Sequence, residues 1–244
     1  LPLGQVLLRT QNAKNIIEQH NNAFFLGELA LKLAAAIRIS VYIHHAKKSE
    51  RIDELLHRLV RPSFGHWVNI FRDTDHYLAN QKDKSLFPLT EIFGSIHRDP
   101  LHSPNTDFLI RFSEENDIIQ DSRQYIRRGV LGYFEFLNAY RNIVLGHGAQ
   151  RNRQFYEQMY PLLLLAAKEV LTSPCLFGSC QLFYSVNRNG GQIVQKLSLS
   201  MDEGRFSGPA FPPNQIPGGV FFADQKAVIS LDPFVIYDTS GDSE

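Results

Sequence analysis

The chain has 244 residues, 43% of them hydrophobic and 20% charged, with Lys+Arg and Asp+Glu equal at 25 each and a formal net charge of zero. This balance excludes intrinsic disorder, which needs low hydrophobicity and high net charge. It also excludes a nucleic-acid binder working through a global basic field, so any phosphate chemistry must rest on a local patch.

The length fits one large domain, or one domain with a small appendage. The first two-thirds reads at helical period. Residues 12–20 read as a short helix and 24–48 as a long one, with Leu26, Leu29, Leu33, Ile37 and Val41 along it and Ala30, Ala34, Ala35 and Ala36 adding helix propensity. Ser49 is placed to cap a helix over 50–60 that stops before Pro62, and Ser63 to cap one through Trp67, Ile70 and Tyr77. Residues 90–97 read as a short helix and 99–115, with Pro100 and Pro104, as a loop. A strong helix is predicted over 122–146 and another over 149–172, with Pro161 kinking or dividing the second. Composition shifts near Ser173-Pro174. Beyond it, 181–186 and 192–200 read as strands around Asn187-Arg188-Asn189-Gly190-Gly191, 220–223 and 227–230 as a second hairpin, and 233–237 as a last strand. Two hairpins are marginal alone, so they must pack on the helices or pair with further chain. The expected fold is mainly α, a helical domain over 1–173, followed by a β-hairpin-rich segment over 174–244 (α+β overall).

Cys175 and Cys180 are too few for a disulfide framework or a four-thiolate metal site, and they read as unpaired thiols of a reducing compartment. Leu1-Pro2-Leu3-Gly4-Gln5 lacks the charge and long apolar run of a signal peptide. The longest apolar stretch elsewhere, 162–167, falls far short of the ~20 residues that span a membrane. A soluble cytoplasmic protein is expected. The missing initiator Met and the stop just after a strand-like run point to a segment of a longer protein, although a processed mature chain would look the same.

The loudest chemical signal is Arg141-Asn142-Ile143-Val144-Leu145-Gly146-His147. On a wheel of about 100° per residue, with Ile126 at zero, Leu137 falls at about 20°, Val130 at about 40° and Phe134 at about 80°. Arg141 falls at about 60°, inside this apolar stripe. A buried guanidinium without a partner is very costly, so the position demands one. Arg141 could pair with Glu135 or Glu28, snorkel from the stripe's edge, or bond the last carbonyls of a helix ending at Gly146 or Gly148. His147, between two glycines, could be a dipole-stabilised helix end.

Arg141, the polar Asn142 after it and His147 beyond a short spacer resemble the signature of HEPN domains, in which an Arg, often followed by a polar residue, precedes a His near the end of a helix. The likeness extends in kind over residues 24–172, with 80–118 as an insertion relative to a minimal four-helix domain. The resemblance implies either a sensing or dimerising module of a larger signalling or defence protein, or metal-independent RNA cleavage across a two-fold dimer. In the second case the imidazole of His147 would move a proton and Arg141 would hold phosphate oxygens, with Asn142 orienting either. A basic rim for phosphate could come from Arg127, Arg128, Arg151 and Arg153, which otherwise form a solvated helix face. Expected partners are a second copy of the chain, RNA or a nucleotide, and a fused or associated effector domain. No cofactor, metal or membrane is expected.

Nine histidines invite a metal reading. Adjacent His44 and His45 diverge by about 100° on a helix, and His97 and His102 flank Asp99 without a clear third ligand. A phosphate-cradling Gly-x-x-x-x-Gly-Lys-[Ser/Thr] loop and a Gly-x-Ser-x-Gly elbow are both missing from the sequence. The aromatics Tyr133, Phe134, Phe136, Tyr140, Phe155 and Tyr156 read as core or dimer interface rather than base-stacking platforms.

Overall fold

Every residue from Leu33 to Tyr42 is buried, and all lie on one helix. A helix buried all round belongs at the centre of a structure, and this one is its spine. The computed structural model describes residues 2–81, 90–97, 104–146, 151–178, 181–188, 191–196, 219–223 and 228–232. Helix α1 covers Pro2–Asn12 and the spine, α2, Ile16–His45. At 30 residues α2 is about 45 Å long. The break predicted at 21–23 is absent: α2 runs unbroken from Ile16, after residues 13–15, and α1 covers a stretch in which periodicity marks no helix. Asn15 decides where α2 begins, because its side chain accepts the Glu18 N–H at 2.9 Å and starts the helix there.

Helix α3 is Glu50–His57, extended by a 3₁₀ turn over Arg58–Val60, and α4 is Phe64–Ala79. Ser63 caps α4 as expected, in a reciprocal box with His66. Ser49 precedes α3 without a side-chain capping bond. Two 3₁₀ turns, Thr90–Ile92 and Ser95–His97, stand where a short helix was expected.

The predicted loop contains α5, Pro104–Glu115. Its first N–H groups are served from another helix. The Glu169 carboxylate accepts from the Asn105 N–H at 3.2 Å and the Thr106 N–H at 3.0 Å, and also from both side chains. A carboxylate suits this positive end, and Pro104 needs no bond at the first position.

The predicted helix over 122–146 is three pieces: α6 (Arg123–Ile126), α7 (Gly129–Tyr140) and a π turn (Arg141–Leu145). Gly129 takes φ 55°, a left-handed conformation that glycine adopts at no steric cost. This corner folds α6 tightly onto α7, so that a Cβ on Gly132 would lie 1.8 Å from the Tyr125 carbonyl oxygen. Helix α8, Arg153–Thr172, runs through Pro161 undivided, and α9 is Pro174–Phe177.

The strands are β1 (Gln181–Arg188), β2 (Gly191–Lys196), β3 (Val220–Ala223) and β4 (Val228–Ser230). They form an antiparallel sheet in the order β2-β1-β3-β4. The architecture is mainly α with a small β-rich segment toward the C-terminus, as expected. The strand expected over 233–237 lies outside the described residues.

Two apolar cores meet along α2. One joins its first half to α4, α5, α7 and α8. The other joins Leu33, Ile37 and Val41 to Ile52, Leu78 and the sheet residues Tyr184, Val220, Phe222 and Ile229. The hairpins thus pack on the helices, as their marginal size requires. Ser40 fixes the sheet further by donating its hydroxyl to the Ser230 carbonyl.

Arg38 of α2 and Asp75 of α4 sit between these cores, both fully buried, with Nε donating to Oδ1 at 2.7 Å. The guanidinium also donates to the carbonyls of Ala34, Leu176 and Cys175 and lies 4.5 Å from the centroid of the Phe71 ring. Asp75 Oδ2 accepts the Gly94 N–H at 2.8 Å. One ion pair therefore ties α2, α4, the 3₁₀ segment and the end of α9 together. Among the described residues no helix is long and apolar enough to cross a membrane.

Candidate functional site

After Tyr140 the hydrogen bonding widens from α to π. The Gly146 N–H donates to the Arg141 carbonyl at 2.8 Å, five residues back. Such turns recur at functional sites. Val144 points inward, while Arg141, Asn142 and Ile143 are exposed.

Arg141 therefore does not stand in a buried stripe. The wheel spaces Arg141 correctly from Leu137, but α7 is buried on nearly every side, so its stripe marks no single inward face, and the helix opens from α to π at Arg141 itself. At the end of α7 the inward residues are Tyr140 and Val144, and Arg141 projects about 100° from Tyr140. Its candidate partners are engaged elsewhere. Glu135 pairs with Arg128 at 2.6 Å and Glu28 with Lys32 at 2.8 Å. Among the described residues Arg141 makes no ion pair or side-chain hydrogen bond.

A polar pair lies buried beneath the turn. Tyr140 donates its hydroxyl to His20 Nε2 at 2.6 Å, and His20 Nδ1 donates to Asn21 Oδ1 at 3.1 Å. These partners assign the neutral tautomer with the proton on Nδ1. Burial pushes the His20 pKa down, against the Asn21 bond, and keeps the ring neutral. Burial drives the Tyr140 phenol well above its ordinary range, helped by Tyr156 and partly opposed by the Arg151 charge. The Tyr156 ring meets His20 edge-on at 4.9 Å, and Phe24 stacks on Tyr140 at 6.4 Å.

The four rim arginines divide between the two ends of α7. Arg151 is exposed at the Tyr140 end, with its guanidinium 5.7 Å from the Phe155 ring centroid. Arg153 pairs with Glu157 at 2.7 Å on an open surface, where such a bond contributes little. Arg127 and Arg128 lie at the far end, about 18 Å along the helix axis, and Arg128 is the partner of Glu135. Arg141 and Arg151 share one end of the bundle, and Arg127 and Arg128 do not join them. His147 lies outside the described residues, in 147–150 between the π turn and α8.

Tyr133, Phe134, Phe136, Tyr140 and Tyr156 are core residues, and Phe155 is half-buried against them. No cluster of three His, Cys, Asp or Glu side chains suited to a metal occurs among the described residues. His44 and His45 are exposed neighbours with ring centroids 6.4 Å apart, and 98–103 lie outside the description.

His20, Arg38 and Asp75 were not singled out by sequence reasoning. Arg38 was legible as the lone charge in Leu33-Ala34-Ala35-Ala36-Ile37-Arg38-Ile39-Ser40-Val41-Tyr42. His20 carried no such signal, since its partner Tyr140 is 120 residues away.

Compared with protein-family models, curated proteins and solved structures, the chain matches none of them.

Proposed function

We propose that this chain is a HEPN-like sensing and dimerisation module of a larger signalling or defence protein, and that its Arg141 turn takes up a phosphate of RNA or of a nucleotide. The observation that carries this reading is Arg141 itself, exposed on a π turn beside exposed Asn142 and unpaired among the described residues. A free guanidinium can grip two phosphate oxygens at once, and an adjacent amide can bond a third or a sugar hydroxyl. Arg151 adds a second cation at the same end of the bundle. With zero net charge, capture depends on these local groups and is readily screened by salt.

The test is fluorescence anisotropy with a labelled single-stranded RNA, and in parallel a labelled nucleoside triphosphate, in EDTA at low salt. Arg141→Ala should weaken binding by about tenfold or more, the scale of a lost charge-assisted hydrogen bond. Arg127→Ala, at the far end of α7, should change it little. Wild-type protein that binds neither ligand, or equal binding by Arg141→Ala, would exclude this assignment. Light scattering reads the dimer directly.

The solvent exposure of both Arg141 and Asn142 also favours a second reading, a metal-independent ribonuclease acting across a dimer interface. There Arg141 would stabilise the phosphate and His147 would serve as general acid or base. RNA incubated with protein in EDTA should then be cut by wild type and by neither Arg141→Ala nor His147→Ala. An intact dimer that leaves RNA uncut removes this reading, and cleavage surviving both substitutions places the activity elsewhere.

A further inference from the structure

The π turn that displays Arg141 has no side-chain cap at its start, and its closing bond is the Gly146 N–H to the Arg141 carbonyl. What holds its near end is Tyr140, the residue directly before Arg141, whose ring is fully buried. A phenylalanine would fill that space equally well. The hydroxyl instead makes a 2.6 Å bond to His20, reaching from the last residue of α7 to the second turn of α2. A polar pair in an apolar core is costly unless every group is satisfied, and here both histidine nitrogens are. The bond is directional where packing is not, so it fixes how far α7 runs before the turn opens. Tyr156 at the edge of the imidazole and Asn21 on Nδ1 leave the ring one orientation.

We propose that His20 is a positioning residue, which through the Tyr140 hydroxyl sets the π turn that presents Arg141 to its phosphate ligand. This rests on the reading of Arg141 given above. Tyr140→Phe removes the hydroxyl and keeps the ring. His20→Leu removes the acceptor, and His20→Gln supplies one again.

Two readouts test the proposal, both taken where every variant is folded. The first is hydrogen exchange at the Gly146 amide, which needs no ligand. Tyr140→Phe and His20→Leu should speed it about tenfold relative to the amides of mid-α4, and His20→Gln should restore part of the protection. The second is RNA anisotropy. Tyr140→Phe should weaken binding about fivefold, and that effect should vanish in an Arg141→Ala background, because the hydroxyl acts through Arg141. A merely structural role would speed exchange throughout the bundle and leave the affinity of folded protein unchanged. Unchanged Gly146 exchange, or an affinity loss that persists without Arg141, overturns the proposal. RNA binding that falls in Arg141→Ala but not in Tyr140→Phe overturns it alone. Wild-type protein that binds no phosphate fails the reading beneath it, and Gly146 exchange then decides whether His20 holds the turn.

Discussion

Arg38→Met should lower stability by about 3–5 kcal/mol, a large share of the roughly 5–15 kcal/mol that holds a domain together. The substitution preserves most of the side-chain volume, so the loss is electrostatic. Asp75 stays fully buried with the Gly94 N–H as a remaining partner, and the carbonyls of Leu176 and Cys175 lose a donor. The asymmetry between breaking a buried pair and replacing it supplies the control. Arg38→Met combined with Asp75→Leu removes both charges and should recover much of the loss, although the Gly94 N–H loses its acceptor and the α9 carbonyls one donor each, Cys175 keeping the Ser95 hydroxyl. Urea unfolding followed by circular dichroism measures both proteins. A single-substitution loss under about 1 kcal/mol would mean that water or main chain replaces the guanidinium, and that the pair does not knit the two cores.

Gly132→Ala should cost about 3 kcal/mol or more, at the upper end of overpacking penalties. The new Cβ would lie 1.8 Å from the Tyr125 carbonyl oxygen, and backbone cannot swing aside as a side chain can. Relief requires opening the α6–α7 corner that Gly129 folds at φ 55°. Gly65→Ala is the matched control. Its Cβ would meet Asn138 Oδ1 at 3.4 Å, an ordinary contact, and alanine has the higher helix propensity. That variant should be neutral or slightly stabilising. Similar thermal midpoints for the two variants would show that α6 is not seated against α7 as described.

The same corner explains what sequence periodicity could and could not deliver. Periodicity found the long spine, the Ser63 start of α4 and both hairpins, because each is announced locally by an alanine-rich apolar run, a capping serine, or a Gly-rich or polar turn between apolar runs. It ran 122–146 together because Gly129 reads as a tolerated helix glycine until its φ is known, and it set Arg141 in the apolar stripe because nothing local announces that the α-helix opens into a π turn there. It read α5 as loop because Pro104 looks like a breaker, while the carboxylate that caps the helix comes from Glu169. Pro161 did not divide α8. It is exposed, and the carbonyl its ring cannot serve belongs to exposed Glu157, where water can reach it. At the site, Arg141 and Asn142 were legible as a motif, but their exposure was not, and His20 was hidden because its meaning lies in a partner far along the chain.

Contact between Arg141 and phosphate, as proposed, leaves a signature in ionic strength. RNA affinity is measured across salt concentrations for wild type and Arg141→Ala, with the logarithm of affinity plotted against the logarithm of salt concentration. If Arg141 neutralises a phosphate, its removal lowers the slope by about 0.7, one released counterion on a single strand, and weakens binding at every salt concentration. Parallel lines of equal slope would place the phosphate contact elsewhere and exclude Arg141 as its partner.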